Sequence, residues 1–305
     1  MMRAQLMPLS LLACCTGLLM RADLADALAP KILVLGGTGF IGSTVSKIAL
    51  DRGYQVTSLS RRGTPSPDSN PVSGVTFIQG DATDPVVSKR IIKDGDYDGV
   101  VHAVGMLFAS SLNRFASGSG SVPDPGTTYD KITRQTAFAA TAALDELAQG
   151  GAQVRRPFVF ISAAEAKWGF DDKFEGTPVA WLHDYLVAKR AVEDELLNNK
   201  PSLRGVVLRP SLVWTKNRPA ALLPVAAFQM GSLLGLPFID KPVNVDTLAS
   251  AVVEALLDAE VRGVQDWRKM EQLSERLKSD GGKRAAVAGR ALGGGGSDRL
   301  ERGEL

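Results

Sequence analysis

The run Ile32-Leu33-Val34-Leu35-Gly36-Gly37-Thr38-Gly39-Phe40-Ile41-Gly42 decides how this chain folds. Four apolar residues in succession read as a strand buried on both faces, the pattern of a parallel sheet. Glycines follow at Gly36, Gly39 and Gly42, and residues 44–52 have the composition of a helix. In such a strand–turn–helix unit one glycine makes the tight turn, one lets backbone approach a pyrophosphate, and one lets helix pack closely on strand. The helix N-terminus adds outward N–H groups and the positive end of its dipole. Gly36, Thr38, Gly39, Phe40, Ile41 and Gly42 therefore read as the phosphate cradle of a dinucleotide site.

Outward from that unit, short β-rich runs recur at 55–59, 75–78, 100–104, 158–161 and 206–208, separated by helix-compatible stretches such as 131–148 and 181–198. Strands alternating with helices predict an α/β fold, a Rossmann-type doubly wound parallel sheet with a small C-terminal cap. Residues 28–215 are expected to form the NAD(P)-binding domain, and residues 216–265 the cap with a return helix. Residues 271–305, charged and glycine-rich around Gly294–Gly296, are expected to be disordered. Residues 117–128, rich in Ser, Gly and Pro, read as a loop.

Residues 1–27 read as a cleavable targeting leader: Arg3 precedes an apolar stretch from Leu6 to Met20, and Ala25-Asp26-Ala27 offers small residues at a signal-peptidase spacing. The stretch from Ala25 to Pro30 resembles the cleavage region of leaders that route proteins to plastids, so an organellar address is expected, by a signal-like secretory or plastid route. Composition narrows the chemistry. A net charge of +2, with no basic stripe interleaved with aromatics, points away from a nucleic-acid partner. Cys14 and Cys15 both fall in the leader, and the two histidines, His102 and His183, give no metal-ligand spacing, so no metal site is expected.

The second strand runs into Ser60-Arg61-Arg62, where an NAD-specific site usually places an acid for the ribose hydroxyls. Ser60 and Arg61 would instead bond a 2′-phosphate, so NADP(H) is expected over NAD(H). Asp81, in Gly80-Asp81-Ala82, either accepts from the adenine amine or caps the next helix. Tyr185 and Lys189 lie four apart, on one face of a helix, so the ammonium can stabilise the phenolate and bring it into general acid–base range. From Pro219 to Ile239 there is no charged residue, but Pro219, Pro224, Gly231, Gly235 and Pro237 interrupt the stretch. A membrane span is not expected there. Two readings remain: a buried cap over the nicotinamide, or an apolar surface meeting a bilayer or prenyl chain.

Gly36–Gly42, Gly80-Asp81, Tyr185…Lys189 and Leu208-Arg209-Pro210 together resemble an extended short-chain dehydrogenase/reductase. The segments 158–166 and 115–121 resemble an atypical branch, which holds the large nucleotide-binding accessory subunit of respiratory complex I and a fungal mitochondrial protein associated with coenzyme Q synthesis. The resemblance implies that Tyr185 is the proton donor, that Lys189 binds the nicotinamide ribose and lowers the tyrosine pKa, and that Ser162 orients the substrate oxygen. Ala163 and Ala164 occupy positions where extended members often carry that serine. It further implies that Ala82, Ala103 and Val104 border the cofactor, that His102 is a positioned structural histidine, and that the address is mitochondrial. His183 would face away from Tyr185 and is assigned no role. Two functions follow as expectations. One is a reductase or dehydrogenase acting on an apolar carbonyl or quinone-pathway intermediate. The other is a non-catalytic NADPH-holding accessory or assembly factor, with peripheral membrane or complex association.

Overall fold

A computed structural model describes residues 29–65, 72–106, 123–149, 155–174, 176–177, 180–216, Met230 and 240–293, the last thirteen of these by backbone alone. Its strands are β1 (Lys31–Leu35), β2 (Gln55–Ser60), β3 (Val75–Gln79), β4 (Gly99–His102), β5 (Pro157–Ile161), β6 (Arg204–Leu208), β7 (Val213–Trp214), β8 (Val243–Asn244) and β9 (Gly263–Gln265). Its longer helices are α1 (Phe40–Asp51), α2 (Pro85–Gly95), α3 (Thr136–Gln149), α4 (Ala180–Asn198), α5 (Val245–Leu257) and α6 (Trp267–Gly293). Seven strands form one sheet in the order β3-β2-β1-β4-β5-β6-β9, every neighbouring pair parallel. The chain winds outward from β1 to β3, then crosses back to β4 and winds the other way. That reversal opens a crevice at the carboxyl ends of β1 and β4, where doubly wound sheets hold their ligands.

The unbroken apolar runs predicted this burial. Ile32, Val34, Val101, Val159 and Val206 face α1, α5 and α6, while Leu33, Leu35, Val100, Phe158 and Phe160 face α2, α3 and α4. The helix expected over 131–148 opens instead with a π turn, Asp130–Gln135, before α3 begins. The wider turn carries Ile132 and Thr136 to the wall of the cleft.

Two expected boundaries are corrected. The segment 216–265 is not all cap: α5 packs on α1 and β9 extends the main sheet beside β6. The return helix is thus part of the nucleotide-binding layer. Disorder from Glu271 is also overturned as far as Gly293, because α6 runs to that residue and buries Met270, Leu273, Ser274 and Leu277. Their spacing of three and four residues makes a single buried stripe, which the charged composition masks. The expected leader, the loop residues 117–122, the end of the tail and, apart from Met230, the apolar stretch 219–239 lie outside the described residues. Among the described residues no helix is long and apolar enough to cross a membrane.

Candidate functional site

At the crevice, Gly39 is the N-cap of α1 and no side chain caps the helix. The first intrahelical bond is donated by Ser43 N–H to Gly39 O at 2.9 Å, so Ile41 and Gly42 stand in the first turn, whose N–H groups point out of the helix end. A side chain at Gly42 would place its Cβ 2.3 Å from Gly36 O, which fixes how closely helix and loop can pack. At Gly39 the same atom would meet only Gly36 O, at 3.1 Å, and otherwise open space on the cleft side. The cradle therefore has a packed side and an open side, as a pyrophosphate site requires. These residues fit a nicotinamide dinucleotide.

The cavity beside this loop measures about 550 Å³. Gly36, Thr38, Gly39, Ser60, Arg61, Asp81, Ala82, Ala103 and Val104 all line it, so the structure brings together nine of the expected cofactor-binding residues. Asp81 does not cap the following helix. Its Oδ1 accepts from Thr83 N–H at 2.9 Å, and the cap is Asp84, which accepts from Val86 N–H at 2.8 Å ahead of Pro85 in the first turn. Arg62, Gly105, Met106, Pro123, Asp124, Ile132 and Thr136 also line the cavity without having been expected there. Gly105 and Met106 simply continue the Ala103-Val104 strand end. Asp124 gives no local signal, since its partner Arg61 lies across the cleft.

Tyr185 and Lys189 do meet on α4. Lys189 Nζ lies 5.6 Å from the Tyr185 ring centroid and 4.8 Å from that of Phe160, and donates to Ile161 O at 2.6 Å. Burial pushes the Lys189 ammonium down to about 8, with Glu193 opposing the shift. Tyr185 is pushed above its ordinary value by burial and by the charges of Glu165 and Tyr129, so the phenol stays protonated. Its ring stands edge-on to Tyr129 at 5.7 Å, within an apolar cluster that includes Met106, Ile132, Trp181 and Ala188. The lowered tyrosine pKa expected from the lysine is not seen in this arrangement.

Ser162 departs furthest from expectation. It is buried, and its hydroxyl donates to Glu193, whose carboxylate also takes both arms of Arg209, one at 3.0 Å. Strand alternation explains this. Ser162 shares the face of Phe158 and Phe160, which α4 covers, so it meets Glu193 one turn beyond Lys189 rather than a substrate. Ala163 and Ala164 are buried as well.

His102 is fully buried. Its Nε2 is 2.7 Å from Thr136 Oγ1, which itself donates to Ile132 O at 2.6 Å, so the imidazole is the donor to the threonine. Burial and the Lys189 charge lower its pKa to about 3, so it stays neutral near pH 7. His183, assigned no role from the sequence, takes a structural one. Its Nδ1 lies 3.1 Å from Asp171 Oδ2, and Arg190 grips the same carboxylate at 2.6 Å, tying the 3-10 turn Asp171–Phe174 to α4.

A doubly wound sheet, a glycine cradle at its switch point and a tyrosine–lysine pair with a buried lysine beside the same strand end define a dinucleotide-binding Rossmann protein of the short-chain dehydrogenase/reductase type. Residues 32–229 match the NAD dependent epimerase/dehydratase family, and the chain belongs to it. An uncharacterized chloroplastic protein of Arabidopsis thaliana is 26% identical over 273 residues, covering 84% of this chain and 81% of the relative. MIOREX complex component 2 of Saccharomyces cerevisiae is 27% identical over 222 residues, covering 63% of this chain and 75% of its own length. Among solved structures, the UDP-glucose 4-epimerase of Thermus thermophilus in complex with NAD superposes with a TM-score of 0.53 at 22% identity, covering 83% of each chain, a likeness of fold.

Proposed function

We propose that this chain is an NADP(H)-dependent reductase of apolar carbonyl compounds, with Tyr185 as the proton donor. The observation that carries this reading is the nearness of the cleft wall to the lysine of the tyrosine–lysine pair. A Cβ on Gly105, in the cavity wall, would lie 4.0 Å from Lys189 Nζ. A nicotinamide dinucleotide held there supplies the hydride. The chain's own residues handle the proton: a phenol kept neutral by burial is an acid that can give its hydrogen to a developing alkoxide. Lys189, close by and still an ammonium below about pH 8, is placed to make good that proton. Met106, Ile132 and Trp181 around the phenol favour an apolar substrate, a quinone-pathway intermediate among them. Ser60, Arg61 and Arg62 along the cavity, with no acid at the end of β2, favour NADP(H). The chloroplastic relative and the leader-like N-terminus support an organellar address.

A second reading, a nucleotide-holding accessory protein, is favoured by Ser162. With that hydroxyl bonded to Glu193, no expected serine is presented to a substrate. The likeness to a MIOREX complex component points the same way. The two readings part at Tyr185→Phe, which removes one hydroxyl and keeps the ring. For a reductase, turnover of a panel of apolar ketones and quinones falls by roughly a hundredfold with NADPH affinity unchanged. A wild type that binds NADPH tightly yet turns over none of the panel, and a Tyr185→Phe strain that complements a knockout fully, establish the accessory role.

A further inference from the structure

We infer that Asp124 tunes the cofactor preference of the cleft by competing with a 2′-phosphate for Arg61. This inference rests on the NADP(H) reading proposed above. Arg61 stands at the end of β2, and Asp124 reaches it from the crossover between β4 and α3, sixty-three residues further along the chain. Both line the cavity, together with Ser60, Arg62 and Pro123, so the ion pair they form lies across the part of the cleft next to β2.

Asp124 is held there by a turn, not by chance. Thr127 N–H donates to Asp124 O at 3.1 Å, and Gly126 between them takes φ +76, a value that side chains disfavour. The pair is open to water, with side-chain exposures of 46% for Arg61 and 70% for Asp124. Ion pairs so exposed are weak and salt-sensitive, so breaking this one takes little. A phosphomonoester brings about two negative charges and three acceptor oxygens to a guanidinium, against one charge from a carboxylate. The exchange therefore runs in favour of the phosphate, but the affinity of NADPH is reduced by the contact that must first be given up. NADH brings no such phosphate. Its uncharged ribose hydroxyl has no cause to displace Asp124 and can donate to that carboxylate instead. An acid that the sequence withholds from the end of β2 is thus restored from the opposite wall, in a form that can step aside.

The test is a nucleotide titration of the full chain in four forms: wild type, Asp124→Asn, Arg61→Ala and the double variant. Melting temperatures confirm the fold of each, and Asp124→Ser stands in should the asparagine variant misfold. Asp124→Asn is expected to tighten NADPH by roughly two- to fivefold, the span of an exposed ion pair, without tightening NADH. That gain should vanish in the Arg61→Ala background, because the two residues act through one contact. If Asp124→Asn leaves NADPH affinity unchanged, or shifts both nucleotides alike, competition by Asp124 is overturned. Arg61→Ala alone then decides the underlying reading: selective loss of NADPH keeps it, whereas equal loss of both nucleotides removes the NADP(H) reading and the competition with it.

Discussion

Lys189 is a cation placed where water scarcely reaches it, and its ammonium is held by a single backbone carbonyl at Ile161. Burial takes its pKa from the ordinary lysine value of 10.5 down to about 8. Between those two values the unfolded chain keeps the proton and the folded chain releases it, so stability rises with pH across that interval and is flat below it. Replacing Lys189 with Met should abolish this rise. The gap between variant and wild type in urea denaturation, widest at pH 7, should then shrink by about 3 kcal/mol by pH 10.5. A gap independent of pH would mean that the ammonium is solvated after all. The Tyr185–Lys189 pair was legible from its spacing together with its place between the fifth and sixth strands, since four residues bring side chains to one face of any helix. The aim of Ser162 was not, because it depends on which helix covers which face of the sheet. The bond between Arg61 and Asp124 was equally hidden, since only the folded chain brings the two walls of the cleft together.

At the level of elements, Arg204 at the start of β6 does what no residue of α5 can do for itself. Its guanidinium donates to the carbonyls of Ala255 and Val261 at 2.7 Å each, of Asp258 at 3.0 Å and of Leu256 at 3.2 Å. The last carbonyls of a helix lack partners within it, and a positive charge there also answers the dipole. Arg204→Met should cost about 3 kcal/mol in urea denaturation, because several buried acceptors lose their donor at once. Arg204→Lys should recover only part of it, since a point charge cannot span the fork. A methionine variant as stable as the wild type would show that water caps α5 equally well. The six longer strands of the sheet were readable as apolar runs, but β9 was not: Gly263-Val264-Gln265 is three residues long and only Gln265 is buried. In α6 the stripe from Met270 to Leu277 was present in the letters, outvoted by the lysines, arginines and glutamates around it.

Over the whole molecule, the parts that make the nucleotide cradle come from opposite ends of the described chain. α1, which presents its N-terminus to the cleft, is backed by α5, and α5 is in turn covered by α6. A chain made from its N-terminus onward therefore emits the glycine loop early and the helix that steadies it late. Contacts so distant in sequence require a large loop to close before they return any stabilisation, which delays them. Pulsed hydrogen exchange during refolding should find the amides of α1 protected no sooner than those of α5, although β1 and β2 lie beside it. Early protection of α1 alone would show that the first strands suffice. The late helix acts as a clock: a chain still in the course of synthesis has its glycine loop but not yet the helix that backs it, so the cradle is completed only when α5 settles against α1.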